Sequence, residues 1–243
     1  MRPLPHTPSD APHPLDLSLY LVTDAALCER AGRSVLHTVQ QAVEGGVRVV
    51  QIREKHASGR AFLALVEAVA RALPAHVALL VNDRIDVFLA ARAAGARVAG
   101  VHIGQSEIPA ALARQIIGPE AIVGLSANAP ATLDEAQALG AAGVVDYVGI
   151  GPLHPTATKP DADAGKGLPA LTALRARTTL PAVAIGGVTA ADVPALRAAG
   201  FDGAAVVSAI CAAPDACAAA QTLRAAWDAA IALRTPHVKA IAP

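Results

Sequence analysis

The chain has 243 residues, 53% hydrophobic and 2% aromatic, with a formal net charge of zero. That balance argues against a general nucleic-acid or membrane-surface binder, and no apolar run approaches the roughly 20 residues that cross a bilayer. The length suits one α/β domain, and with so few aromatics its core must be built from Ala, Val, Leu and Ile.

Residues 1–15, beginning MRPLPHTPSDAPHP, are Pro-rich and lack an apolar signal-peptide core. They read as a disordered tail, followed by one domain over 16–232 and a C-terminal tail over 233–243. Strand patterns then fall at 18–23, 47–52, 77–81, 98–103, 121–125, 145–150, 181–185 and 203–207. Helix patterns fill the gaps at 33–44, 59–72, 84–94, 107–117, 131–140, 168–177, 190–199 and 215–232. Gly95, Gly140 and Gly200 stand where left-handed helix caps are needed, and Thr132 and Thr189 where N-caps are expected. Eight β/α cycles in about 210 residues predict an α/β fold, a (β/α)8 TIM barrel. An open doubly wound sheet is the alternative, but it would gather its chemistry at one switch point. Cys28, Cys211 and Cys217 form no C-x-x-C pair and read as small core residues of a cytoplasmic protein.

In this chain nearly every apolar run stops at polar residues or glycines: VRVVQIREK (47–55), VALLVNDR (77–84), VAGVHIGQSE (98–107), AIVGLSAN (121–128), VVDYVGIGPLHPTATK (144–159), PAVAIGGV (181–188) and FDGAAVVSAI (201–210). A parallel barrel opens all its strand C-termini onto one face, so these residues would line one bowl. Gln51, Arg53 and Lys55 alternate onto one side of an extended chain and offer a fork and a point charge to a polyanion. A solvated strand end with Glu54 pairing locally is the competing reading. Asp83 and Glu107 end neighbouring strands, as paired carboxylates for Mg²⁺ would. Taken singly, Asp83 would cap the helix starting at Arg84, and Glu107 would be a first-turn helix acid. His102 lies within its strand and reads as packed or hydrogen-bonded rather than as a ligand. Gly186-Gly187 and Val207-Ser208 end the last two strands, where barrel loops bind phosphate through backbone N–H groups; a tight turn alone competes for the Gly-Gly pair. The 151–167 connection, with Thr156, Thr158 and Lys159, has the length of a mobile active-site loop and equally the composition of a plain Pro-rich one.

QIREK, VNDR, GVHIGQSE, VGLSAN, DYVGIGPLHPTATKPDA, AIGGV and VVSAI, in this order and spacing, closely resemble the thiamine phosphate synthase (thiamine-phosphate pyrophosphorylase) family over about residues 16–230. The GP-x-x-PT-x-TK and Q-x-R-x-K segments carry most of the specificity. The resemblance implies condensation of hydroxymethylpyrimidine diphosphate with thiazole phosphate to thiamine monophosphate and pyrophosphate. It implies that Gln51, Arg53, Lys55 and Asn82 hold the pyrimidine diphosphate, with Glu54 beside them. Asp83 and Glu107 would hold Mg²⁺. Ser126, Thr156, Thr158 and Lys159 would contact the ring and diphosphate, Gly187, Val207 and Ser208 the thiazole phosphate, and Tyr20 the pyrimidine. Arg53, Lys55, Lys159 and Ser126 would carry the catalysis. Two departures stand out: Glu107 replaces the usual Asp, and Asn128 stands where His is frequent. A thiazole tautomerase of the same barrel needs a histidine there for proton transfer, and Asn has no pKa near neutrality. A non-catalytic module binding thiamine phosphates is the alternative from another class. The expected partners are small-molecule substrates, with no nucleic acid or membrane, and a homo-oligomer stays open.

Overall fold

A computed structural model describes residues 15–156 and 165–232. Within them eight parallel strands close into a barrel: β1 (Leu19–Val22), β2 (Val49–Ile52), β3 (Ala78–Asn82), β4 (Gly100–Ile103), β5 (Ile122–Ser126), β6 (Tyr147–Ile150), β7 (Ala182–Ala184) and β8 (Gly203–Val206). Each strand pairs with the next, and β8 closes on β1 with Ala205 opposite Tyr20. The TIM barrel expected from the β/α alternation is therefore the fold. Of the expected tails over 1–15 and 233–243 only Leu15 is described; the remainder lies outside the described residues, as do Thr158 and Lys159.

The strands are nearly continuous apolar runs because both of their faces are covered, with Gln51, Asn82, His102 and Ser126 as the polar exceptions toward the lumen and bowl. Outward side chains such as Leu21, Val50, Ile52, Leu79 and Val81 pack under the helices in the main core. Inward ones, including Tyr20, Val49, Leu80, Tyr147, Val183 and Ala205, fill the lumen as a second cluster. The helices are α1 (Ala25–Arg30), α2 (Val35–Glu44), α3 (Gly59–Ala72), α4 (Ile85–Ala93), α5 (Ala110–Ile117), α6 (Pro130–Ala141), α7 (Gly167–Arg175), α8 (Val193–Ala198), α9 (Ser208–Cys211) and α10 (Ala216–Ala232). In α3, Phe62, Val66, Val69 and Ala70 recur at helical spacing and are the buried face. Asp24, Ser34 and Ser58 cap α1, α2 and α3 by accepting from the backbone N–H of Leu27, His37 and Ala61. None of the described helices is long and apolar enough to cross a membrane.

The short α1 and α9 lie outside the eight expected helices; six and four residues are too few to show a helical period. Gly95 and Gly200 do take left-handed conformations, φ 84° and 88°, after their helices. Gly140 does not. It lies inside α6, where a Cβ would run into Leu180, and Gly143 (φ 70°) follows the helix instead. Neither threonine is an N-cap residue. Thr132 sits one turn into α6 and accepts from the Ala129 N–H at 3.1 Å, while Thr189 donates to Asp192, the residue preceding α8.

Strand register stacks the lumen in levels. Val22, Gln51, Leu80, Gly100 and Ile122 lie side by side, and Asn82, His102, Gly124 and Tyr147 form the level above. Gly124 is what admits the Tyr147 phenol, because a Cβ at that position would overlap the ring and hydroxyl. Overpacking of this kind costs about 1–3 kcal/mol. Gly124→Ala is thus expected to lower the thermal midpoint by about 2–12 °C for a domain of this size, read by calorimetry. An unchanged midpoint would mean the ring moves aside freely.

Candidate active site

The bowl at the strand C-termini is built around Asp83. This residue adopts φ 61°, the only positive φ of a non-glycine among the described residues. Asp tolerates the left-handed region better than most residues, yet the conformation is uncommon enough to need support. The support is visible. Its backbone N–H donates to the His102 carbonyl at 2.9 Å, and its Oδ1 accepts from the Gly104 N–H at 3.2 Å. Its Oδ2 accepts from Asn82 Nδ2 at 2.6 Å and from Lys55 Nζ at 2.5 Å. The helix-cap reading of Asp83 is excluded, since Arg84 precedes α4 and no side chain caps that helix. The first-turn reading of Glu107 is excluded too, because α5 begins only at Ala110, after Pro109.

Asp83 and Glu107 converge on Gly104. A Cβ there would lie 3.9 Å from Asp83 Oδ1 and 3.8 Å from Glu107 Cγ. Among the described residues no group of three His, Cys, Asp or Glu side chains forms a metal cage. Two carboxylates with only oxygen donors are, however, what Mg²⁺ takes from a protein when substrate phosphates and water complete its shell, so these residues fit that ion.

Gln51 is buried beside Tyr20 and donates to its hydroxyl at 2.6 Å. Arg53 is fixed by its backbone N–H, which donates to Thr23 Oγ1 at 3.0 Å, while its guanidinium has no hydrogen bond or ion pair among the described residues. A cation anchored by its main chain and left open at its tip is free for an anion. The competing reading, local pairing of Glu54, finds no support at Oε1, which is buried without a hydrogen-bond partner. Burial, then the Asp24 charge, raise its pKa against the pull of Arg53 and His56. Tyr20 is only 1% exposed and lies in the lumen beneath Gln51, one layer below the bowl. Ser126 ends β5, with its carbonyl held by Gln105 Nε2 at 2.6 Å and its hydroxyl 3.0 Å from His102 Nε2. His102 is the hydrogen-bonded strand histidine expected. Asn128 Oδ1 accepts from the Gly151 N–H at 3.1 Å and thereby holds the start of the following loop.

Across the bowl, Gly186 and Gly187 have φ 92° and 67°. Side chains there would strike Pro152 and His154, so the pair serves both the turn and the close approach of the β6 loop. Val207 precedes α9, whose first N–H groups have no partner within the helix. Thr156 is described and half-buried. Sequence reasoning missed three features here: the Tyr147 hydroxyl, the Gln105 contact, and a clasp between His154 Nε2 and Asp192 Oδ1 at 2.9 Å. An inward-facing Tyr in an apolar strand signals a buried hydroxyl in need of a partner; the clasp spans 38 residues and has no local signal.

Burial alone would raise the Asp192 pKa, but hydrogen bonds from His154 and Thr189 override it and hold the carboxyl below its ordinary range. A depressed folded pKa contributes stability above the unfolded value near pH 4, and the contribution fades as pH falls through the folded pKa. Asp192→Asn should therefore lower the thermal midpoint at neutral pH, and the gap to wild type should close below about pH 4. A gap constant with pH would contradict this.

The family model for thiamine monophosphate synthase matches residues 19–210. The thiamine-phosphate synthase of Azorhizobium caulinodans is 49% identical over 182 residues, covering 74% of this chain and 81% of the relative. That of Syntrophomonas wolfei is 44% identical over 174 residues, covering 71% and 78%. Among solved structures, thiamine phosphate pyrophosphorylase from Pyrococcus furiosus superposes with a TM-score of 0.77 at 29% identity, covering 89% of this chain and 98% of that one.

Proposed function

The chain belongs to the thiamine monophosphate synthase family, and from that premise we propose that its bowl joins 4-amino-5-hydroxymethyl-2-methylpyrimidine diphosphate to thiazole phosphate, forming thiamine monophosphate and pyrophosphate. The observation that carries this reading is the cluster of Lys55, Asn82 and Gly104 around the left-handed Asp83, with Glu107 beside it and the open Arg53 next on β2's extension. It is a site for a metal-bound polyanion, facing a second, glycine-lined loop pair.

The bond between the pyrimidine methylene carbon and the diphosphate oxygen breaks, and its electrons leave with pyrophosphate. The thiazole nitrogen lone pair then forms the new C–N bond. Arg53, Lys55 and Lys159 draw the growing negative charge on the leaving group. Asp83 and Glu107 would hold Mg²⁺, which supplies further positive charge against the diphosphate. Gln51, Asn82 and Ser126 orient the pyrimidine, with Tyr20 setting Gln51 from below. Thr156 and Thr158 would contact the pyrimidine ring and diphosphate, as the family resemblance implies. Gly187, Val207 and Ser208 anchor the thiazole phosphate so that its nitrogen arrives in register. The step requires no covalent nucleophile and no general base. The bound partners are small molecules and the setting a cytoplasmic one.

Ser208→Ala removes one neutral hydroxyl contact, worth about 1 kcal/mol. It should raise KM for thiazole phosphate about fivefold with little change for the pyrimidine substrate, read by steady-state kinetics. The reverse pattern would assign the two anion sites backwards. The function itself is tested by substrate omission. Thiamine monophosphate should form only with both substrates and Mg²⁺ present. A tautomerase would instead isomerise a carboxylated thiazole phosphate alone, and Asn128, spent on the Gly151 N–H, offers no proton shuttle for that.

A further inference from the structure

A chain of hydrogen bonds crosses the lumen beneath the bowl. Gln51 Nε2 donates to Tyr20 Oη at 2.6 Å, and the Tyr20 and Tyr147 hydroxyl oxygens are 2.7 Å apart. Tyr147 Oη is 2.9 Å from His102 Nδ1, and His102 Nε2 is 3.0 Å from Ser126 Oγ. The members come from β2, β1, β6, β4 and β5, so the chain joins opposite sides of the barrel. Gln51, Tyr20 and Tyr147 are 3%, 1% and 0% exposed. Gly124 makes the room: a Cβ there would overlap the Tyr147 phenol, whereas one at Gly149 would only touch His102 Cε1 at 3.4 Å. Burial pushes both phenols' pKa upward, at Tyr20 against the pull of its hydrogen bonds and at Tyr147 together with the Tyr20 charge and hydrogen bond, so they keep their protons.

Each hydroxyl here has one proton, and a neutral imidazole has one N–H. All the protons can therefore point along the chain in one direction, or all in the other. In the first polarity the Gln51 NH₂ donates to Tyr20, Tyr20 to Tyr147, Tyr147 to His102 Nδ1, and His102 Nε2–H to Ser126. The Ser126 proton is then left for the bowl, and Gln51 keeps Oε1 as an uncommitted acceptor. Turning the Gln51 amide over reverses every link. Ser126 then donates to His102 and offers the bowl only an acceptor. A junction between the two polarities sets two donors or two acceptors face to face, and among the buried Gln51, Tyr20 and Tyr147 no water relieves them.

We propose that this chain is a polarity relay coupling the Gln51 amide to the Ser126 hydroxyl, so that the two sides of the bowl read a 4-aminopyrimidine as one unit. The ligand assignment rests on the function proposed above. In the first polarity, Gln51 Oε1 accepts from the exocyclic amine, and Ser126 donates to a ring nitrogen or a diphosphate oxygen. Tyr20, Tyr147 and His102 are positioning residues: they touch no substrate and transfer no net proton, but they fix which partner donates.

The test is the protonation of His102 Nδ1, read by ¹⁵N NMR on histidine-labelled, ligand-free full-length protein at about pH 8, well above the ordinary carboxylate range. The His102 signals are identified by their loss in His102→Asn. Wild type should show Nδ1 bare and Nε2 protonated. In Gln51→Glu the carboxylate can only accept from Tyr20, so Nδ1 should gain a proton three links away. Adding Tyr147→Phe should abolish that response, leaving Nδ1 as it is in Tyr147→Phe alone. Tyr20→Phe cuts the same chain one link earlier and serves if the first variant does not fold. An Nδ1 state indifferent to Gln51→Glu, or one that responds with the tyrosine link cut, overturns the relay; mere structural roles for these residues predict indifference. In turnover, Tyr147→Phe should raise KM for the pyrimidine diphosphate on the order of tenfold while that for thiazole phosphate stays within about twofold. An equal rise in both would also count against the relay. The NMR readout needs no substrate, so a protein that forms no thiamine monophosphate would sink the functional reading and leave the relay to be judged by Nδ1.

Discussion

Asp83→Asn should lower magnesium-supported turnover by about 100-fold or more, since even groups that only orient a metal's ligands cost about 10–100-fold when lost. Asn is the informative replacement. It tolerates the left-handed φ of 61° and is nearly isosteric, so the backbone should survive. What changes is charge: Lys55 Nζ, now 2.5 Å from Asp83 Oδ2, loses its counter-ion, and the site keeps only the Glu107 carboxylate. Thermal midpoint and magnesium titration should be measured together. A folded variant with normal magnesium dependence would show that Asp83 only ties β3 to Lys55 and Gly104. Glu107→Asp provides the complementary arm. It installs the residue that the family resemblance implies there and should keep or raise activity, because the shorter side chain still starts beside Gly104.

Arg53→Ala is the second large effect. The guanidinium is fixed through the main chain to Thr23 and makes no hydrogen bond or ion pair among the described residues, so removing it sacrifices no described hydrogen bond. Its loss should appear in the reaction rather than in stability. A charge-assisted hydrogen bond to the diphosphate contributes about 1.5–3 kcal/mol. The expected fall in kcat/KM is about 10- to 150-fold. If the charge acts mainly on the departing diphosphate, kcat carries most of that fall. A fall confined to KM would make Arg53 a ground-state anchor only, and a collapse of the thermal midpoint would make it structural.

The strand ends were readable because a parallel barrel forces one outcome on them. Gln51, Asn82, Ser126, Gly187 and Ser208 each follow an apolar run, and closure brings them to one face whatever lies between. What chain-local reasoning could not weigh was competition between roles. Asp83 followed by a helix looks like a cap, and only the backbone turn at φ 61° removes it from that duty. Gly140 looks like a helix terminator, but Leu180, packed against it from 40 residues away, gives the glycine a steric reason instead. The lumen network was the least legible part. Tyr20, Tyr147 and His102 are far apart in the chain, and no local pattern joins them. Their meeting depends on the register that sets His102 beside Gly124 and Gly124 beside Tyr147.

The central claim is that this bowl transfers the pyrimidinylmethyl group from diphosphate to the thiazole nitrogen. The most direct measurement uses pyrimidine diphosphate labelled with ¹⁴C in the pyrimidine and ³²P in the diphosphate, with unlabelled thiazole phosphate and Mg²⁺. The account predicts that all converted ¹⁴C appears in thiamine monophosphate and all released ³²P in pyrophosphate, in equal amounts, and that neither appears when thiazole phosphate is withheld. Ligand binding without ³²P release, or ³²P released with ¹⁴C recovered only as the free pyrimidine alcohol, would contradict it.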